Sequence, residues 1–199
     1  MPTTCDNKLA GEFVKKCGYR PKQGIRKKWY FNWEDVDRVA TQMVNRGTKV
    51  SVLVLKVGKK FYLAEGNDKS HKGKFALAIS DFGNGHIHTD SYNVSYNGEN
   101  ERERIQELVE GARICSIVEK VDGGVNGELS FEIFGLESGM LIIDHNYDSA
   151  ANSGTVSISV ATKAGEEENT GAKLFLLAAG AIATEAYINT NTYVAPIVP

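Results

Sequence analysis

The sequence predicts a mainly β fold with some α, an antiparallel β-sandwich or barrel carrying one packed helix. Three observations carry this reading. Period-two alternation recurs, as in Val156, Ile158 and Val160 against Ser157 and Ser159, which is the pattern of a half-buried strand. Turn formers separate such segments at short intervals, as in DFGNG at 81–85. One stretch, NGENERERIQELVEGA at 97–112, has the clear 3.6-residue period of an amphipathic helix.

In chain order, residues 1–28 read as a basic, irregular arm. Eight lysines and arginines lie between Lys8 and Lys28 against the single acid Glu12. WYFNWEDVDRVATQM follows, where Asn32 is placed to cap a short helix with Glu34 and Asp35 in its first turn. Val36, Val39, Ala40 and Met43 would form its apolar stripe. TKVSVLVLKVGKKFYLAEG reads as a hairpin about VGKK, and the segment from Gly73 to Gly98 as two strands about DFGNG.

The helix near 99–111 loads acids at its start and has Asn97 or Asn100 as a cap. Ile105, Leu108, Val109 and Ala112 form its stripe, and Gly111 suits its stop. ARICSIVEKV is then a strand, and so is SGTVSISVATK. Between them, GELSFEIFGLESGM at 127–140 alternates through Leu129, Phe131 and Ile133. It breaks at Gly135 and Gly139 before MLII resumes, which reads as a strand corner. The body thus runs from 29 to 172. The segment 173–199 is apolar, and its end INTNTYVAPIVP reads as extended because of Pro196 and Pro199.

Composition narrows the function. The 23 basic and 25 acidic side chains leave a net charge of −2, which argues against a dedicated nucleic-acid binder. The three cysteines, Cys5, Cys17 and Cys115, have neither disulfide-framework nor zinc spacing, and Cys115 reads as a core residue. With no apolar leader core, the chain is expected to be made in a reducing cytoplasm. The longest apolar run, at 174–183, falls short of the ~20 residues a membrane span needs.

Candidate chemistry is sparse. His86 and His88 share a strand face with Asp90, a metal-like spacing that lacks a third firm ligand and reads as surface histidines. Asp144, Asn146 and Asp148 begin a calcium-loop pattern that fails at Ser149 and Thr155. GLESG places Glu137 where a nucleophile elbow needs serine, and Ser138 is one position late. No catalytic residue, cofactor site or metal site is expected. Trp29, Tyr30, Phe31 and Trp33 form an aromatic cluster suited to a binding surface, or to an anchor that pins the basic arm on the sheet or on a neighbouring subunit.

The order GIRKKWYFNWEDVD, VLVLKVGKKFYLAEG, IQELVEGARICSIVEKV and GELSFEIFGLESGM, over residues 24–162, resembles virion structural proteins of tailed phages infecting Bacteroidetes, including crAss-like phages. The resemblance is to subunits of tail-tube or connector-ring type. It implies a tail-tube-type fold and a non-enzymatic, homo-oligomeric ring or tube, six-fold or twelve-fold, around the DNA path. It further implies contact with other tail or portal proteins, DNA passing without specific binding, and assembly into the virion in the host bacterial cytoplasm, with no membrane involved. The expected contact residues are Trp29, Tyr30, Trp33, Tyr187, Tyr193 and Ile197. Gly135 and Gly139 would turn the strand between sheets. The rival expectations are a capsid or tail decorating or adaptor protein acting as a binding module and, further off, a metal-dependent enzyme using His86 and His88.

Overall fold

The computed structural model describes residues 22–64, 70–80, 83–94, 98–124, 127–147 and 156–194. These residues build two sheets. The larger has seven strands in the order β2 (Gln42–Val44), β3 (Lys49–Val52), β11 (Lys173–Phe175), β8 (Phe131–Phe134), β7 (Ile114–Lys120), β1 (Ile25–Asn32), β4 (Tyr62–Leu63). The smaller has four, in the order β5 (Lys72–Ser80), β6 (Gly83–Val94), β10 (Val156–Ala161), β9 (Leu141–Tyr147). Every pairing of these strands is antiparallel except β11 on β3. Neither sheet closes into a barrel.

The apolar pattern explains the layering. β7 reads Ile-Cys-Ser-Ile-Val and is buried on both faces, as a continuous apolar run in mid-sheet should be. One face of the large sheet gathers Trp29, Phe31, Phe61, Ile117, Phe131, Ile133 and Phe175, covered by Ile188 and Tyr187 of helix α2 (Ala181–Thr190). The other face offers Tyr30, Val118, Phe134 and Met140 to Val156, Ile158 and Val160 of β10. Ile105 of helix α1 (Glu99–Val109) closes one side of this second core. The described residues therefore form a helix, a large sheet and a small sheet in three layers, with both faces of the large sheet covered by a neighbouring layer.

Several expectations are corrected. The segment after Trp33 is a single 3-10 turn, Trp33–Asp35, and then extended chain. Val36 bridges Leu55, Val39 points into solvent, and Met43 lies on β2, so tertiary pairing overrides the helical spacing. Asn32 stands at the cap position, but its side chain bonds Asp35 Oδ2 at 2.9 Å instead of a helical N–H. β3 and β4 do not form a hairpin. They sit on opposite sides of the large sheet, β4 on β1 and β3 between β2 and β11. Among the described residues there are two α-helices rather than one, because 181–190 is helical and not extended. Pro196 and Pro199 lie beyond that helix and do not interrupt it. The body also begins before residue 29, since Ile25–Lys28 belong to β1. In α1 the cap is Gly98 without a side-chain bond, and Val109 is exposed while Ile105 is buried.

The passage from β8 to β9 carries the chain from the large sheet to the small one. Gly135 and Gly139 both take left-handed backbone angles there, φ 70 and 74. A Cβ on Gly135 would lie 2.7 Å from Met140 Cγ, and one on Gly139 would lie 3.0 Å from Trp33 Cγ. The Gly139 N–H closes the bend on Gly135 O at 2.9 Å, and Met140 then exchanges both backbone bonds with Ile114.

Two stability predictions follow from this packing. Gly135→Val or Gly139→Val should each lose more than about 1 kcal/mol in chemical denaturation, because strain and overlap coincide. An unchanged midpoint for either variant would show that the bend tolerates a side chain. Ile105→Ala should lose about 2–5 kcal/mol, and Val109→Ala should stay within about 0.5 kcal/mol. The reverse order would place the wrong face of α1 on the core.

Candidate functional site

The bend at Gly135–Met140 gathers several polar side chains, three of them fully buried. Trp33 donates Nε1–H to Glu137 O at 2.9 Å, Arg113 donates to Ser138 O at 2.8 Å, and Arg38 donates to Leu136 O. The Glu137 and Ser138 N–H groups both donate to Glu168 Oε1, at 2.8 and 2.9 Å. Glu168 is fully buried, and its Oε2 receives Lys173 at 3.3 Å. Burial holds the Glu168 carboxyl above its ordinary range, against the Ser138 N–H and the Lys173 ammonium. Lys173 is itself fully buried and also reaches Glu137 at 2.8 Å. This is a carboxylate used to satisfy turn amides, with a lysine to balance its charge.

His88 belongs to the same arrangement, which corrects its reading as a surface histidine. It is fully buried on β6. Its Nδ1 accepts the Gly135 N–H at 3.0 Å, and its Nε2 lies 3.0 Å from Thr170 O. Nδ1 acts as an acceptor, so the proton of the neutral ring is on Nε2. Burial pushes its pKa down to about 4, with Lys173 acting in the same direction. Cys115, buried in the core, contacts Gly135 O through Sγ at 3.1 Å, and burial pushes its thiol up. None of these groups faces an opening as a free nucleophile or base. Among the described residues, no group of three or more His, Cys, Asp or Glu is placed to hold a metal ion. Asp144 and Asn146 lie on the exposed strand β9, while Asp148, Ser149 and Thr155 fall outside the described residues.

The aromatic residues expected at a subunit contact divide. Trp29 and Tyr30 are core residues of this one chain, on opposite faces of β1, so neither offers a surface to a neighbour. Trp33 is half-buried beneath Arg38, whose guanidinium stands 4.8 Å from the ring centre. Tyr187 packs on Phe61 and Phe175 and donates its hydroxyl to Leu53 O. Tyr193 is exposed, with its ring 5.9 Å from that of Tyr62 on the edge strand β4. Ile197 lies outside the described residues.

A different surface stands out. β5 and β6 form a long hairpin whose ladder runs from Lys72↔Ser91 to Ser80↔Gly83. Phe75, Leu77 and Ile79 share one face of β5, opposite His88, His86 and Asn84 of β6. That face begins inside the sandwich, where His88 is buried. Exposure then rises outward, from 50% at Phe75 to 57% at Leu77 and 79% at Ile79. The apolar face of the hairpin outruns the layer that should cover it. β5 is also an edge strand, flanked by exposed Lys72 and Lys74. The opposite edge, β9, presents Ile143, Asp144, His145, Asn146 and Tyr147 to solvent. The sequence predicts a strand here without singling out Phe75, Leu77 and Ile79, whose every-second-residue spacing is the signal that could have marked the face.

A cleft of about 340 Å³ beside the hairpin is lined by His71, Lys72, Lys120, Glu132 and Phe134. Lys120 and Glu132 pair across 2.6 Å on its wall, while His71 Nδ1 is buried there without a hydrogen-bond partner. Among the described residues, no helix is long and apolar enough to cross a membrane. No protein family, curated protein or solved structure matches this chain.

The pH dependence of stability tests the role given to His88. Its folded-state pKa of about 4 lies below the ordinary 6.5, so the folded protein keeps the ring neutral while the unfolded chain takes up a proton. Stability from this group is full above pH 6.5 and falls as the pH drops toward about 4. His88→Gln should melt lower at neutral pH and lose less on acidification across that window than the parent. Equal slopes in the two proteins would show that His88 titrates freely in the fold.

Proposed function

We propose that the chain is a non-enzymatic virion structural subunit of a tailed phage, of tail-tube or connector-ring type. Copies would join through the edges of the four-stranded sheet into a closed ring around the DNA path. The observation that carries the assembly reading is the apolar stripe Phe75, Leu77 and Ile79 on β5, an edge strand among the described residues. A flat edge with apolar side chains invites another strand. The edge at β9 is complementary to it, with Asp144 to meet Lys72 or Lys74 and with Ile143 and Tyr147 to meet the stripe. Because β5 and β9 are different edges of one sheet, the contact would be head-to-tail, the type that closes into rings when the rotation allows. The phage setting itself rests on the sequence resemblance over residues 24–162. The balanced net charge of −2 suits a lumen that does not retain phosphate backbones.

Native mass spectrometry and negative-stain imaging of the full chain test this reading. Closed rings are expected. Leu77→Glu with Ile79→Glu should abolish them and leave the melting temperature of the subunit within a few degrees of the parent. A monomer at high concentration, or rings that survive the double variant, would show that the β5 edge is not the joint.

A further inference from the structure

Between the two sheets lies a pair of residues that the assembly reading does not use. Lys28 on β1 and Asp90 on β6 approach from opposite sheets, and neither side chain has any exposed surface. The Lys28 ammonium contacts Asp90 Oδ1 directly. The backbone oxygens of Ser91 and Lys72 stand 3.2 and 3.4 Å from Nζ. The rings of Tyr92 and Tyr30 wall the site at 5.9 and 6.0 Å from Nζ. Asp90 Oδ2 is buried with no hydrogen-bond partner, and the Tyr30 hydroxyl is buried beside the carboxylate without reaching hydrogen-bond geometry.

As an ion pair this site is poorly compensated. Removing two charges from water is costly, and their attraction offsets it only when the remaining oxygens and protons are satisfied. Here one carboxylate oxygen is orphaned among aromatic rings. As an acyl-transfer site the same features make sense. The amine is held directly against the carboxylate, to which it can pass a proton, water is kept out, and a phenol stands alongside.

We propose that Lys28 and Asp90 condense after folding into an intramolecular isopeptide bond, Nζ to Cγ, which fastens the seven-stranded sheet to the four-stranded sheet. A proton first passes from the ammonium to the carboxylate it touches, since a low-dielectric site favours the neutral pair. Burial makes the Lys28 ammonium more acidic than an ordinary lysine, although Asp90 opposes the effect. The Nζ lone pair then adds to Cγ. The carbon–hydroxyl bond breaks, and the hydroxyl departs with one proton from Nζ as a single water molecule. One carbon–nitrogen bond replaces one carbon–oxygen bond, and no other reagent is consumed. Tyr30 keeps its proton, because burial and the neighbouring Asp90 hold its hydroxyl well above the ordinary range. It is placed to support the oxygen that gains charge in the tetrahedral intermediate. The fold supplies the proximity that turns a slow bimolecular condensation into a unimolecular one. The product amide is neutral, so two buried charges are removed from the core.

Intact mass of the full chain tests this, measured under denaturing conditions on a sample first shown to melt cooperatively. The expected mass is that of the sequence less one water. Digestion should release a branched peptide that joins the Lys28 and Asp90 segments. Lys28→Arg keeps the charge but cannot form this amide, so it should show the full sequence mass and a lower melting temperature. Asp90→Asn should still cross-link, with loss of ammonia in place of water. A folded parent chain at full sequence mass would overturn the proposal, and so would a water loss mapped to any other position. Neither outcome bears on ring formation, which is read separately from the native mass.

Discussion

The structure depends on one backbone passage, the bend from Gly135 to Met140 that carries the chain out of the seven-stranded sheet and into the four-stranded one. Two left-handed glycines make the bend possible, but they leave turn amides and carbonyls in a place shielded from water. Buried backbone groups must find partners, and much of the polar chemistry inside this protein answers that need. Glu168 caps two N–H groups, His88 a third, and Trp33, Arg38 and Arg113 reach the carbonyls. A buried glutamate, lysine, histidine and cysteine in one region would ordinarily suggest catalysis. Here the geometry assigns them to holding a corner.

That corner was legible in the sequence, because an alternation that breaks between two glycines and then resumes marks a strand that turns. The alternation of β10 and the continuous apolar run of β7 were legible for a related reason: each records how many faces of the strand are covered. What the sequence hid was non-local. Nothing in TKVSVLVLKVGKKFYLAEG says that its two halves pair with strands far away rather than with each other. Trp29 and Tyr30 read as sticky because adjacent aromatics look the same whether they face two cores or two neighbours. Helix α2 is apolar with little amphipathic contrast, so its Ala- and Ile-rich segment could not be told from an extended one by period. Lys28 was hidden in a basic run, where a single buried lysine leaves no local mark.

The surface and the interior have complementary roles. The small sheet carries the edge strands β5 and β9 and the open apolar stripe, so in the proposed assembly a force on a neighbouring copy would enter the molecule there. Among its routes to the large sheet are the second core, the Gly135–Met140 bend and the Lys28–Asp90 contact. The first is non-directional and can slide. The other two fix register, one along the chain and one across it. These contacts resist shear between the small sheet and the sheet that α2 backs.

The position of β11 has a consequence for how the molecule is made. Its three residues, Lys173–Phe175, lie between β3 and β8 and give the β2–β3 ribbon its connection to the rest of the large sheet. During synthesis β3 emerges early, but the strand that must sit beside it emerges more than a hundred residues later. β1 likewise waits for β7. Long-range pairings of this kind close slowly, and until β11 leaves the ribosome, β3 and β8 are two open edges with a strand-width gap between them. The sheet is therefore joined late at this point, and β11 works as a keystone between parts of the chain that were made well before it.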